Sequence, residues 1–360
     1  MTPVPEPIRF MGQKERAERI PEALGRFADT LERLDTITIE EAIDTEAHDI
    51  LATGLFNMGF IYKTDQIVGS LTDFKVVQGG VVLFSRHPIT KQVVKMFDRS
   101  ARIEDCLVAK GVVYACVEKF GQPFHVFSVH AQSWESEVAR SVRQSQFMQV
   151  HRLICDMNIS EHEPVILLGD FNVDLYSEQR QLSVMFDILH AEMLPRHKES
   201  HPFTSDPSTN VLMGLDDATS YASRAFPNGC NDEYLKRGTC VCCPCEWLDY
   251  ALVSTNHAPI DRDKSYMRCI PVKFPVPFET NINWTHKRSI QDLSDHYPVL
   301  AKYEFPSLLP KAHVQNTAFI VYDRKFRKRP DPLVYNLSFF IVFAVFIAIS
   351  ALFVIWALIR

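Results

Sequence analysis

The sequence predicts an α/β or α+β domain followed by a C-terminal membrane-spanning helix. Apolar runs of strand length recur as far as residue 303, with amphipathic helical stretches between them, and together they predict the domain. The span is predicted by residues 337–359, which read LSFFIVFAVFIAISALFVIWALI, uncharged and interrupted only by Ser338 and Ser350. At about 1.5 Å of rise per residue, such a run covers the roughly 30 Å of a bilayer's hydrocarbon core.

Taken in order, residues 13–34 carry Ile20, Leu24, Phe27, Leu31 and Leu34 at three- and four-residue spacing, which predicts an amphipathic helix. Asp35 ends that pattern, and the β-branched run Thr36-Ile37-Thr38-Ile39 predicts a strand. Further strands are expected at 80–84, 112–117, 124–129, 165–168 and 248–253. A second helix is expected over 136–157, burying Val142, Phe147, Val150 and Ile154. Residues 196–245 are polar and rich in turn formers, which predicts long loops. The segment Phe274-Pro275-Val276-Pro277-Phe278 suits a packed connection between strands better than a membrane-dipping loop. No linker interrupts the chain before about residue 305. The expected plan is therefore one domain over 1–305, a stalk over 306–336 and an anchor over 337–359.

The 360 residues are 46% hydrophobic and 23% charged, with a net charge of -6, which argues against a nucleic-acid partner. The basic cluster Arg324, Lys325, Arg327, Lys328 and Arg329 precedes the apolar run, and only Arg360 follows it. By the positive-inside rule the domain is then expected on the cytosolic side of a single-pass anchor. Residues 1–10 hold three prolines and no apolar run, unlike a secretory signal. Five of the nine cysteines cluster: Cys230, Cys240, Cys242, Cys243 and Cys245. On the cytosolic side they suggest metal binding or reduced thiols, and on a lumenal side disulfides.

Four short motifs carry chemistry. In Val165-Ile166-Leu167-Leu168-Gly169-Asp170-Phe171-Asn172 an apolar strand ends in a glycine turn. Asp170 and Asn172, two residues apart, then face one side and converge on a phosphate or a hydrated metal. Alone, the same pattern is a common Asx turn. Ser294-Asp295-His296 offers a histidine able to take a proton from water, and Asp249 in the Leu248-Asp249-Tyr250 strand is a candidate to orient it. His130 ends the apolar strand Phe127-Ser128-Val129. Glu40-Glu41 follows the first strand, where one carboxylate suits a hard cation that keeps most of its waters.

In this order, Glu41, His130, Gly169-Asp170-Phe171-Asn172, Leu248-Asp249-Tyr250 and Ser294-Asp295-His296 resemble the motifs of the endonuclease/exonuclease/phosphatase superfamily, which includes DNase I. Within it the chain looks most like the neutral sphingomyelinases. That likeness rests on GQKERAERIPEAL near the start, Gln78 to Ile89, Lys110 to Ala115, Ser128 to Gln132 with Arg143-Gln144, and Asp206 to Asn210. The resemblance spans about residues 13–303. It implies a four-layer α+β sandwich of two packed β-sheets flanked by helices, and a Mg²⁺-dependent phospholipase C-type cleavage of sphingomyelin, with Mn²⁺ a possible substitute. It further implies Glu41 as the principal metal ligand, with Asn172 also at the metal. Asp170 and Asn172 orient the nucleophile and the phosphate. His296, held by Asp249, is the base; His130 stabilises phosphoryl charge; Asp295 supports the site. The implied partners are a membrane sphingolipid and, through the C-terminal helix, the bilayer. The chain departs from the pattern in having Glu40 where relatives usually have Gln, and in lacking the relatives' first strand with its active-site Asn. Competing expectations are a nuclease or phosphoinositide phosphatase of the same superfamily, or a catalytically silent, membrane-tethered binding module.

Overall fold

The computed structural model describes residues 12–26, 34–69, 79–98, 108–213, 245–283 and 286–306, all within one compact unit, Arg9–Val314. Thirteen strands and four helices of eleven or more residues are described. The first layer is helical: α1 (Gln13–Gly25) lies against α2 (Thr45–Asn57). α2 starts at Asp44, whose side chain accepts a hydrogen bond from Ala47 N at 2.8 Å and so satisfies one free amide of the first turn. The strands β1 (Thr36–Ile39), β2 (Tyr62–Lys63) and β3 (Val82–Ser85) form a sheet in the order β1-β3-β2 beneath these helices. β3 alternates: Val82 and Phe84 pack with Ala17, Leu51 and Leu55 of the helices, while Leu83 turns to the second sheet.

That second sheet has six strands in the order β4-β5-β6-β7-β9-β8. They are β4 (Ile89–Met96), β5 (Gly111–Lys119), β6 (Gln122–His130), β7 (Val165–Asp170), β8 (Ala191–Met193) and β9 (Asp249–Ser254). Leu83 meets Ala115, Val117 and Val126 between the sheets. Among the described residues the only parallel ladder in this sheet is β6 with β7. A parallel pair needs a crossover, and α3 (Glu137–Asp156) supplies it. With α4 (Gln179–Leu189), α3 forms the fourth layer, burying Phe147, Val150 and Ile154 against Phe127, Val129 and Leu167. Two antiparallel pairs complete the described fold: β10 (Tyr266–Cys269) with β13 (Val299–Lys302), and the hairpin of β11 (Lys273–Asn283) with β12 (His286–Asp292).

The α+β sandwich stands, but the C-terminal span expected with it is corrected. Among the described residues no helix is long and apolar enough to cross a membrane. Even α3, with 20 residues, carries Arg140, Arg143, Arg152 and Asp156. The single-pass anchor that set the expected localisation has no support among the described residues, and residues 337–359 lie outside them. So do Cys230, Cys240, Cys242 and Cys243, the polar stretch from 214 to 244, and residues 1–11, where the relatives' first strand reads as missing. The first helix is shorter than its apolar pattern, ending at Gly25, and residues 27–33 are not described. Phe274 to Phe278 belong to β11. Phe278 is buried, and the Arg19 guanidinium lies 4.4 Å from its ring centroid, so the segment packs against α1 as a strand.

Asp35 ties three parts of the fold together. Its Oδ1 lies 2.7 Å from His87 Nε2, and its Oδ2 accepts from Lys119 Nζ at 2.7 Å. Burial raises its pKa, but these two partners outweigh burial and hold it below the ordinary carboxylate range. A lowered folded pKa means stability that is present above the unfolded value and lost as pH falls through the folded one. Asp35→Asn should therefore cost about 0.5–1 kcal/mol at pH 7, modest because the group is half-exposed. Urea melts at a series of pH values should show the gap to wild type closing below about pH 4.

Candidate active site

The site begins as a register. His130 pairs with Asp170 across β6 and β7, and Asp170 with Asp249 across β7 and β9, so three titratable side chains occupy one row at one end of the sheet. Gly169 permits this close approach. Its φ is +125°, and a Cβ there would stand 2.1 Å from Val129 O. Beyond Asp170 the chain turns through Asn172 at φ 52°. Asn172 N donates to Asp170 Oδ1 at 2.8 Å, and its side-chain Nδ2 donates to Asp170 Oδ2 at 2.9 Å and Ala131 O at 3.1 Å. The carboxamide oxygen is left for another partner, since both contacts of the amide group use its nitrogen.

His296 enters from the loop before β13. Its Nδ1 lies 2.9 Å from Asp249 Oδ2, which fixes the Nδ1–H tautomer and leaves Nε2 as the free acceptor when the ring is neutral. Burial opposes its charged form, but Asp249, Asp170 and Asp295 outweigh burial and hold its pKa well above the ordinary value. Asp295 is raised by burial and pulled below the usual carboxylate range by His296 and by Arg16 of α1. Its backbone and that of Ser294 are pinned by Asn210 Nδ2, which donates to both carbonyls at 2.9 and 2.8 Å.

His130 is fully buried, and its Nε2 lies 3.7 Å from both Glu41 Oε1 and Asp170 Oδ2. Burial, aided by Lys110 and His296, drives its pKa well below the ordinary value, so the ring is neutral. Glu41 sits at φ 57° with its side chain 58% exposed, which presents a carboxylate to solvent at the rim. Gly80 makes that turn possible, since a Cβ there would stand 2.2 Å from Ala42 N. All seven expected site residues, Glu41, His130, Asp170, Asn172, Asp249, Asp295 and His296, thus meet at one face. Their roles are a separate matter from their placement.

Sequence reasoning passed over three contributors. Lys110 is buried and donates to Ala131 O at 3.0 Å and to Ser133 Oγ, placing a cation behind His130. Glu40 accepts from Ser128 Oγ at 3.2 Å, and burial with Asp249 and Asp170 pushes it up to about 8. Thr204 Oγ1 accepts from Leu248 N and Asp249 N at 3.0 and 3.3 Å, steadying the start of β9. Glu40 was visible as half of an acidic pair, but nothing in the pair says which carboxylate turns inward.

A divalent cation fits this donor set. Asp170 is raised to about 7, first by burial and then by Asp249, which together outweigh the opposing pull of His296 and Lys110. Among the described residues no group of three or more His, Cys, Asp or Glu is arranged to hold a metal. That does not conflict with Mg²⁺, which takes one or two carboxylates and keeps its waters.

A four-layer α+β sandwich with this row at its sheet end defines a class, the metal-assisted phosphoester hydrolases. The chain belongs to the Endonuclease/Exonuclease/phosphatase family, whose model matches residues 11–296. Its relatives include Sphingomyelinase C of Bacillus cereus, 28% identical over 308 residues that make up 81% of this chain and 82% of that protein. Sphingomyelinase C 2 of Leptospira interrogans is 30% identical over 80% of this chain, which spans only 42% of that longer protein. Among solved structures, sphingomyelinase C from Streptomyces griseocarneus superposes with a TM-score of 0.63 at 25% identity, covering 82% of this chain and 94% of that one.

Gly169→Ala should separate the row from the fold. The strained φ and the backbone clash predict a loss of about 2–4 kcal/mol in thermal or urea melts. A variant as stable as wild type would show that the β6–β7 approach is slack.

Proposed function

We propose that the chain is a sphingomyelin phosphodiesterase of the phospholipase C type, cleaving the ceramide-side phosphoester to release ceramide and phosphocholine. One observation carries the chemistry: the His130–Asp170–Asp249 row with His296 held on Asp249 at 2.9 Å. The substrate class comes from the likeness to sphingomyelinases C over four-fifths of the chain.

Water attacks the phosphorus as the neutral His296 ring takes its proton at Nε2; the phosphorus–oxygen bond to ceramide breaks, and the ceramide oxygen takes up a proton from solvent. Asp249 holds the imidazole and stabilises the imidazolium that forms. Asp170 holds Asn172 through two hydrogen bonds, so the carboxamide is set before substrate arrives. The neutral His130 offers an Nε2–H to a phosphoryl oxygen, which a charged residue in that buried position would do only at a large desolvation cost. Asp295 positions the His296 loop. Glu41 and Asn172 would hold Mg²⁺, which when bound offsets negative charge on the phosphoryl group.

The test is Mg²⁺-supported release of phosphocholine from sphingomyelin vesicles by the full chain. His296→Asn and Asp170→Ala should each lower kcat about 10²–10⁴-fold, with the thermal midpoint little changed for His296→Asn. Glu41→Gln should instead shift the Mg²⁺ concentration needed for half-maximal rate upward, and EDTA should abolish turnover reversibly. Wild-type protein that cleaves single-stranded DNA but not sphingomyelin would transfer the same chemistry to a nucleic-acid substrate and overturn the lipid assignment.

A further inference from the structure

A second polar cleft lies on the surface segment that follows β8. It is a groove of about 320 Å³, open to solvent and lined by Tyr176, Arg196, His197, Lys198, Ser200 and Pro202. That volume is at the small end of ordinary ligand sites. Three consecutive basic side chains face one space, in a chain whose net charge is -6. Among the described residues no carboxylate pairs with Arg196, His197 or Lys198. The nearest acid in sequence, Glu199, is turned away to Arg268, 3.4 Å from its Nη1.

The cleft is also preorganised. Arg196 Cζ lies 5.3 Å from the ring centroid of Trp247 and 5.6 Å from that of Tyr176, so the guanidinium is held by two aromatic faces. Its Nη1 donates to Tyr176 OH at 2.5 Å, and that hydroxyl donates onward to Pro202 O at 2.6 Å. The opposite edge of the guanidinium keeps its donors. His197 Nδ1 accepts from Glu199 N at 3.3 Å, which places the ring proton on Nε2 as a further donor. An arginine fork, an imidazole N–H and a lysine ammonium around a small cleft match the oxygens of a phosphate.

We propose that this cleft binds a phosphate-bearing anion, at a site separate from the catalytic row. The segment that lines it runs on to Thr204, whose hydroxyl accepts from Asp249 N, and to Ser205, which bridges His296. A ligand seated there holds the same stretch of chain that steadies the catalytic dyad.

Binding is read without turnover, so its outcome is independent of the assigned activity. Inorganic phosphate is titrated calorimetrically into the full chain in EDTA. Wild type and Asp170→Ala should bind alike, and Arg196→Gln should bind about tenfold or more weakly, the loss expected for one charge-assisted pair. Lys198→Gln, at an exposed position that no aromatic ring covers, should weaken binding in the same direction and serves if Arg196→Gln does not fold. Sedimentation with vesicles of phosphatidylcholine alone, or mixed with phosphatidic acid, then identifies the source. Extra binding to the mixed vesicles that Arg196→Gln removes assigns a lipid headgroup; phosphate binding without it assigns a free anion. Absence of phosphate binding by wild type, wild-type affinity in both cleft variants, or loss only in Asp170→Ala would each overturn the proposal.

Discussion

The pairing of β6, β7 and β9 in a single register is the constraint from which the catalytic face follows. It brings His130, Asp170 and Asp249 onto neighbouring strands at one level, and backbone hydrogen bonds rather than side-chain contacts hold them there. A slip of one residue in either ladder would turn Asp170 to the opposite face, toward the helices, and separate it from both neighbours. The α3 crossover makes the parallel half of this arrangement possible, and Gly169 lets the strands come close at the critical level.

The same closeness creates an electrostatic problem. Asp170, Asp249 and Glu40 crowd together, and burial first, then their mutual repulsion, raises the pKa values of Asp170 and Glu40. The imidazolium that forms on His296 answers part of it, since three nearby carboxylates favour its charge against burial. A cation at Glu41 would relieve more. The site is thus organised to favour positive charge at its centre, the condition a substrate phosphate needs if it is to enter an acidic cluster.

Much of this was legible in the sequence. The strands at 36–39, 112–117, 124–129, 165–168 and 248–253 lie within or overlap β1, β5, β6, β7 and β9, because β1 is a β-branched run and the other four are buried along most of their length. The strand β4 escaped because Thr90, Lys91 and Gln92 break its apolar run, as an edge strand allows. α2 escaped because its apolar stripe is short and His48 sits buried within it. Arg143 could not be read as interior: Val142 was expected to point inward, yet Arg143 is the fully buried neighbour. Residue type alone does not reveal a buried cation, because its burial depends on partners distant in sequence. Lys110 is the same case at the site.

Arg143 also sets a limit on how this fold can vary. One guanidinium nitrogen serves the carbonyls of Gln132 and Trp134, and the other serves Glu178 and Gln181 at 3.0 and 2.6 Å. Surface loops ordinarily tolerate insertions, but the turn between β6 and α3 is fastened from below to a helix of the outer layer. Lengthening it by a residue would withdraw two carbonyls from a charge that has no route to water. Related chains should therefore keep the length of this turn while their other connections drift, or exchange the arginine, the glutamate and the turn together.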